Sequence, residues 1–157
     1  MKNVLIVYYS RSGHTEKVVT KLAEILGADV EKLVDLKNRQ GILGFIIGGK
    51  DASFKKLTYI DPVKYDAQDY ELVIFATPTW ASAAVPSVRT YIKQNEGKFN
   101  NTAFIVSQGG RCNGKIYKDL ETLTGKVPLA INDFSSADLQ GDEWAEKLKN
   151  FTENIKR

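Results

Sequence analysis

The sequence predicts an α/β protein built on a doubly wound, five-stranded parallel sheet in the order 2-1-3-4-5. Three observations carry that expectation. Apolar, β-prone runs alternate with helical stripes along the chain, the pattern of a parallel sheet with helices on both faces. Three of the runs are apolar on both faces, as buried central strands must be. The other two carry charges or a proline, which suits the sheet's edges.

Val4–Tyr9 (VLIVYY) is the first strand. Thr15–Leu26 follows as a helix, with Val18, Val19, Leu22, Ala23 and Leu26 at helical spacing and Gly27 closing it. Val30–Leu36 is the second strand, and its Glu31, Lys32 and Asp35 place it at an edge. Leu72–Ala76 (LVIFA) is the third. Pro86 then opens a helix at the position proline prefers, with Val88, Tyr91 and Ile92 inward. Ala103–Ser107 (AFIVS) is the fourth strand, and Ile116, Leu120 and Leu123 mark the next helix, closed by Gly125. Val127–Ile131 is the fifth strand. Its Pro128 cannot donate to a ladder and sends it to the other edge. Trp144, Leu148, Phe151 and Ile155 form a final helical stripe. Between the second and third strands, Gly41–Leu57 is apolar at Ile42, Leu43, Phe45, Ile46 and Ile47, then polar. Its default role is to cover the sheet edge, with a lid or a contact between copies as alternatives. No repeat or linker interrupts residues 1–157, so one domain is expected, a length at which a single core is comfortable.

Composition narrows the function classes. Hydrophobic residues are 43% and charged residues 26%, ordinary for a globular fold and unlike a disordered, collagenous or disulfide-scaffold chain. The single cysteine, Cys112, allows no intrachain disulfide. No apolar run approaches the ~20 residues of a membrane span, and Val4–Tyr9 lacks a small-residue cleavage site. A cytoplasmic location with no membrane partner is therefore expected. The net charge of +3 is dispersed, with no basic run longer than Lys55-Lys56. Nucleic-acid binders concentrate basic charge on one face, so no such partner is expected.

In sheets of this order, ligands sit at the carboxyl ends of the strands where the order reverses, here between strands one and three. The loops there are Ser10–Thr15, Thr77–Val85 and Ser107–Asn113. Ser10-Arg11-Ser12-Gly13-His14-Thr15 combines three hydroxyls, a glycine and a helix N-terminus, which suits a phosphate. Arg11 and His14 either reach that phosphate or face water. The plainer alternative is ordinary capping by Ser12 or Gly13. The dinucleotide fingerprint needs three glycines after strand one and only Gly13 is there, which leaves Asp35 as a solvated edge carboxylate. Gly44–Lys50 has the spacing of a nucleotide-binding loop but ends in Asp51, where a hydroxyl should hold magnesium, so it reads as coincidence.

These segments carry a resemblance to the flavodoxin family. YYSRSGHTEKV resembles its phosphate loop, with Ser10, Ser12 and Thr15 on the hydroxyl positions. ATPTWASAAVPSVRTYI resembles the loop after strand three that holds the flavin ring, and SQGG (Ser107–Gly110) resembles the third flavin loop. GILGFIIGGKDASFKKLT looks like an insert found in a prokaryotic branch. The resemblance implies a flavodoxin-like fold and FMN as cofactor, with no catalytic side chain and no metal. The implied cofactor-binding residues are Ser10, Arg11, Ser12, Gly13, His14 and Thr15; then Thr77, Pro78, Thr79, Trp80, Ala81 and Ser82; then Ser107, Gln108, Gly109, Gly110, Arg111 and Cys112.

The residue chemistry bears on each loop. Trp80 offers a flat face for stacking on the flavin ring, or packs on its own loop or a partner chain. Thr77 and Thr79 bond the ribityl chain or shape the turn, and Pro78 stiffens it. Gly109 and Gly110 allow close approach to a planar ring, or form a plain loop. Two departures stand out. Many flavodoxins carry a glycine in the second loop, where a peptide flips to stabilise the one-electron-reduced flavin. This chain has Ala81-Ser82-Ala83, where a positive φ costs more. The third loop carries Arg111 and Cys112 rather than acidic charge and a second aromatic, with Tyr117 nearby on the helix. A cation near the flavin N1 raises the potential. Arg111 alternatively binds a nicotinamide-cofactor phosphate or an acidic partner, or faces solvent, and Cys112 reads as a buried, inert thiol. The leading expectation is an FMN-binding electron carrier serving a redox partner protein, as monomer or homodimer. The alternative is an NAD(P)H-dependent FMN or quinone reductase of the same fold. A flavin-free binding module is the third reading.

Overall fold

A computed structural model describes residues 3–110 and 112–156. Its strands are β1 (Val4–Tyr8), β2 (Asp29–Lys32), β3 (Leu72–Trp80), β4 (Ala83–Ala84), β5 (Thr102–Gln108) and β6 (Ile131–Ser135). Its helices are α1 (His14–Leu26), α2 (Gly41–Ser53), α3 (Pro86–Gln94), α4 (Lys115–Thr124) and α5 (Trp144–Asn154). The sheet runs β2-β1-β3-β5-β6 with each neighbouring pair parallel, and β4 folds back antiparallel on the end of β3. With that short return strand set aside, this is the expected order 2-1-3-4-5.

All five residues of β1 are buried, because alternate side chains feed two separate cores. Leu5 and Val7 join Phe75, Phe104, Tyr91 and Leu120 on the face covered by α3 and α4. Val4, Ile6 and Tyr8 join Leu22, Ile74 and Phe151 on the face covered by α1 and α5. Phe75 anchors the first core. Phe99 meets its ring edge-on at 5.2 Å and Tyr91 at 6.2 Å, spacings typical of favourable aromatic pairs.

Several boundaries differ from the sequence expectation. The second strand's ladder stops at Lys32, and Asp35 continues only as an isolated bridge to Ile60. The third strand runs on to Trp80, because Thr79 and Trp80 pair with Ala84 and Ala83. Thr77–Trp80 is therefore strand rather than loop. The fifth strand is Ile131–Ser135, not Val127–Ile131. Pro128 cannot donate, and Val127 stays 78% exposed. A lone buried anchor, Phe134, fixes the strand against α5. An edge strand needs no more than that, so its polar neighbours Asn132 and Asp133 concealed it in the sequence.

The Gly41–Leu57 insertion departs most. It does not cover the sheet edge. α2 leans instead on β3, β4 and α3 at the carboxyl end of the sheet. It buries Gly44, Gly48, Asp51 and Ala52, and leaves Ile42, Leu43, Phe45 and Ile46 exposed. The buried glycines permit this close seat. A Cβ on Gly44 would lie 2.2 Å from the Arg39 carbonyl carbon, and one on Gly48 would lie 2.8 Å from the Trp80 ring. Gly44→Ala forces α2 off the Arg39 backbone, and overpacking of this kind costs about 1–3 kcal/mol. The urea unfolding midpoint should fall accordingly. An unchanged midpoint would mean that α2 has room the packing does not show.

Candidate functional site

The carboxyl ends of β1, β3 and β5 open into one cleft. At its floor, Ser10 shapes the turn into α1. Its Oγ accepts from the amides of Gly13 at 3.1 Å and Glu16 at 3.3 Å. This is a capping contact made from three residues upstream of the helix's first flanking residue. Gly13 takes φ +94°, which glycine adopts without strain. The first-turn amides have no intrahelical acceptor and carry the positive end of the helix dipole. Thr15 is buried, and its Oγ1 lies 2.6 Å from Ser107 Oγ, so the first and third loops are joined hydroxyl to hydroxyl. Ser12 and His14 are exposed at the rim, with Oγ and Nδ1 3.4 Å apart. Arg11 also lines the cleft and is anchored there. It donates to the carbonyls of Arg39 and Gly41, both at 3.0 Å, and its guanidinium lies 5.4 Å above Phe45.

The second wall is the β3–β4 hairpin. Its two-residue turn puts Ala81 at φ +51° and Ser82 at φ +59°. Two positive φ values are what a right-twisted hairpin demands, and Asn-Gly usually supplies them. Here two ordinary residues bear the cost. Asn113 Nδ2 donates to Ser82 Oγ at 2.8 Å and ties the turn to the third loop. Thr77 Oγ1 donates to the Pro78 carbonyl at 2.8 Å. Thr79 Oγ1 is buried and finds no partner among the described residues. Trp80 is half-buried. Tyr9 meets its ring edge-on at 5.6 Å, Arg39 lies 6.0 Å from it, and Gly48 of α2 abuts its edge. The expected alternatives for Trp80, stacking surface or packing element, are thus combined, since the indole packs on α2 and also lines the cleft.

The third wall is Ser107–Gly110. Gln108 Nε2 donates to Asp133 at 2.8 Å, while its Oε1 is buried and unpartnered among the described residues. Nothing lies within 4 Å of where a Cβ on Gly109 or Gly110 would sit. The cleft holds about 200 Å³ between Arg11, Ser12, His14, Thr15, Pro78, Thr79, Trp80, Ser107, Gln108 and Gly109. The sequence reading missed Phe45 and Ser136, which also line it. Ser136 follows the strand whose position was misjudged, and Phe45 sits on the insertion expected elsewhere.

Three expected site residues lie elsewhere. Ala81 and Ser82 face the hairpin's outer side, lining a separate cleft of about 430 Å³ with Lys55, Lys115 and Lys118. Cys112 is partly exposed and packs against the α3–α4 core beside Tyr117 rather than in the first cleft. Arg111 lies outside the described residues.

Asp35 is also not the solvated carboxylate expected. Its side chain is 3% exposed and accepts from Arg39 Nε at 2.6 Å and from Thr58 Oγ1 at 2.8 Å. Arg39 Nη1 donates to Asp51 at 2.9 Å, and Lys37 joins Asp51 at 2.8 Å. Burial alone would push the Asp51 carboxyl up, but Lys37 and Arg39 more than offset it and hold it below the ordinary carboxylate value. Burial likewise works against the Arg39 charge, and Asp35 and Asp51 reverse that effect.

A parallel sheet in this order, with three loops meeting at the switch between β1 and β3, settles the architecture. The fold is flavodoxin-like. No protein-family profile and no curated protein matches the chain, but solved structures do. A flavoprotein from Lactobacillus acidophilus NCFM, crystallised in complex with FMN, superposes with a TM-score of 0.76 at 17% identity, covering 97% of this chain and 99% of that one. A flavodoxin from Streptococcus pneumoniae TIGR4 matches with a TM-score of 0.51 at 16% identity, covering 97% and 96%. An NADH:FMN oxidoreductase in its apo form matches with a TM-score of 0.57 at 12% identity, covering 98% and 88%. At these identities the likeness is one of flavodoxin-like fold, and the fold hosts both carriers and enzymes. Among the described residues, no helix is long and apolar enough to cross a membrane, and no group of three or more His, Cys, Asp or Glu could hold a metal.

Two outcomes follow from this geometry. Asp51→Asn leaves Arg39 buried with one carboxylate, and breaking such a pair costs about 3–5 kcal/mol. Because folding lowers the Asp51 pKa, its contribution is complete above the unfolded value near 4 and is lost as pH falls through the folded value. Acid titration of stability should therefore be shallower in Asp51→Asn than in the parent. Ala81→Gly removes a left-handed cost of about 1–2 kcal/mol, and the melting temperature should rise by a few degrees. A fall would show that the alanine methyl contributes packing worth more than the strain.

Proposed function

We propose that this chain binds FMN at the three-loop cleft and serves as a small flavodoxin-type electron carrier. The observation that carries the reading is the pair of buried, unpartnered polar atoms, Thr79 Oγ1 and Gln108 Oε1, in walls that meet a helix N-terminus. Buried polar groups without partners are costly and call for one. A ligand with an anionic tail and a polar, planar head fits the donors and acceptors present. When bound, the flavin supplies the electron-transfer chemistry. The His14 and Thr15 amides at the start of α1, with the Ser12 and Thr15 hydroxyls, hold its phosphate. Ser10 takes part by fixing the loop. Thr79 and Gln108 bond the head group, Gly109 and Gly110 let the backbone approach it, and Trp80 supplies a face. None of these side chains moves a proton, as suits a carrier. A head group larger than the 200 Å³ cleft keeps an edge open to a redox partner.

One observation favours the second reading, an NAD(P)H-dependent FMN or quinone reductase. Lys55, Lys115 and Lys118 line the cleft on the far side of the hairpin, where they would attract an anionic co-substrate.

Stepwise anaerobic reduction of the FMN-loaded protein, followed by absorption, tests both. A spectrum distinct from the two end states near the midpoint supports the carrier. A direct passage from oxidised to fully reduced, with NADPH oxidation in the presence of a quinone, supports the reductase. Retention of riboflavin as tightly as FMN would overturn the phosphate assignment.

A further inference from the structure

We propose that the outward face of α2, together with the lysines at its C-terminal end, docks on the surface of an anionic lipid bilayer. Ordinary surface helices turn their apolar stripe inward. α2 does the reverse. It buries Gly44, Gly48 and Ala52, while Ile42 is 84%, Leu43 70% and Ile46 59% exposed. Helical spacing puts these three side chains on one stripe with Lys50. Phe45 flanks the stripe at 61% exposure, and Phe54 follows the helix at 68%. A contiguous apolar patch of this kind marks an interaction site.

The charge at the end of the stripe says what kind. Lys55 and Lys56 follow the helix with side chains 64% and 55% exposed. Lys55 shares the outer cleft with Lys115 and Lys118. The acids beside them are already engaged. Asp51 is shared by Arg39, Lys37 and, at 3.9 Å, Lys56, and buried Asp119 by Arg89, the Ala84 amide and, at 3.5 Å, Lys55, so the cations outnumber the acids, with Lys115 and Lys118 in addition. An apolar ridge ending in a surplus of positive charge is what an anionic interface recognises, the side chains entering the headgroup region while the lysines meet phosphate. Lying in the interface requires no spanning segment.

A second copy fits less well. In a two-fold pair with antiparallel α2 helices, the lysines of one copy would meet the N-terminal turn of the other, the positive end of its dipole. With parallel helices, lysine would face lysine. An acidic protein would match the lysines but would need a groove for a convex ridge, whereas a bilayer yields to one. Phe45 also lines the three-loop cleft, so docking brings the mouth of that cleft to the lipid. The proposal stands independently of what the cleft binds.

The test is sedimentation of the full-length protein with vesicles of mixed phosphatidylglycerol and phosphatidylcholine, against phosphatidylcholine alone. The protein should pellet with the anionic vesicles, and added salt should release it. Ile46→Asp, at an exposed position, should lower the partition at least about tenfold. Replacing Lys55 and Lys56 together with glutamine should lower it roughly fivefold per lysine, which keeps the test open should the aspartate variant misfold. Failure to pellet with anionic vesicles at low salt overturns the proposal, as does undiminished partition of both variants. A parent dimer that Ile46→Asp converts to a monomer, without vesicle binding, would assign the face to a second copy instead.

Discussion

The buried guanidinium of Arg39 is the contact on which the site's architecture depends. It sits between Asp35, where the chain leaves β2, and Asp51, inside α2. It also lies 6.0 Å from the Trp80 ring at the end of β3. Its own backbone carbonyl holds Arg11 of the first loop. One residue therefore joins the sheet edge, the inserted helix and two of the three loops. Such a buried ion cluster is weak evidence for net stability, since desolvation offsets much of the attraction. Its value here is positional. With both carboxylates engaged, α2 has one seat, and only glycine at positions 44 and 48 lets it settle there.

The central sheet was legible because its chemistry is redundant. Val4–Tyr8, Leu72–Ala76 and Ala103–Val106 are apolar on both faces, and no other element reads that way. The places of the first and third loops were legible too, since each follows a central apolar strand at the switch in strand order. What stayed hidden shares a cause. Asp35, Arg39 and Asp51 are polar and buried, and their burial depends on partners 4 and 12 residues apart whose meeting no local pattern announces. The apolar residues of α2 reversed the usual inference, since an apolar stripe is normally the buried one. β6 escaped because Phe134 alone anchors it. The extension of β3 escaped because a hairpin turn of Ala81-Ser82 lacks the glycine that would have signalled it.

The site's second wall shows how the fold tolerates local cost. Ala81 and Ser82 are held in left-handed conformations by two cross-strand pairs and by the bond from Asn113. The turn is thus over-determined from both sides, as backbone in sparsely populated regions must be. Ser82 contributes a side-chain anchor to a neighbouring loop, whereas Ala81 contributes only its backbone.

The hydroxyl pair Thr15–Ser107 joins residues 92 positions apart in the chain. Neither loop is held by the other until β5 has docked beside β3, so the cleft is built from contacts of long sequence separation, a kind that is slow to form. During synthesis, no ligand can be captured before the chain beyond Gln108 has emerged and paired. Once the cleft exists, anything that binds there holds the central sheet closed by mass action, and ligand occupancy becomes a report on the integrity of the whole domain.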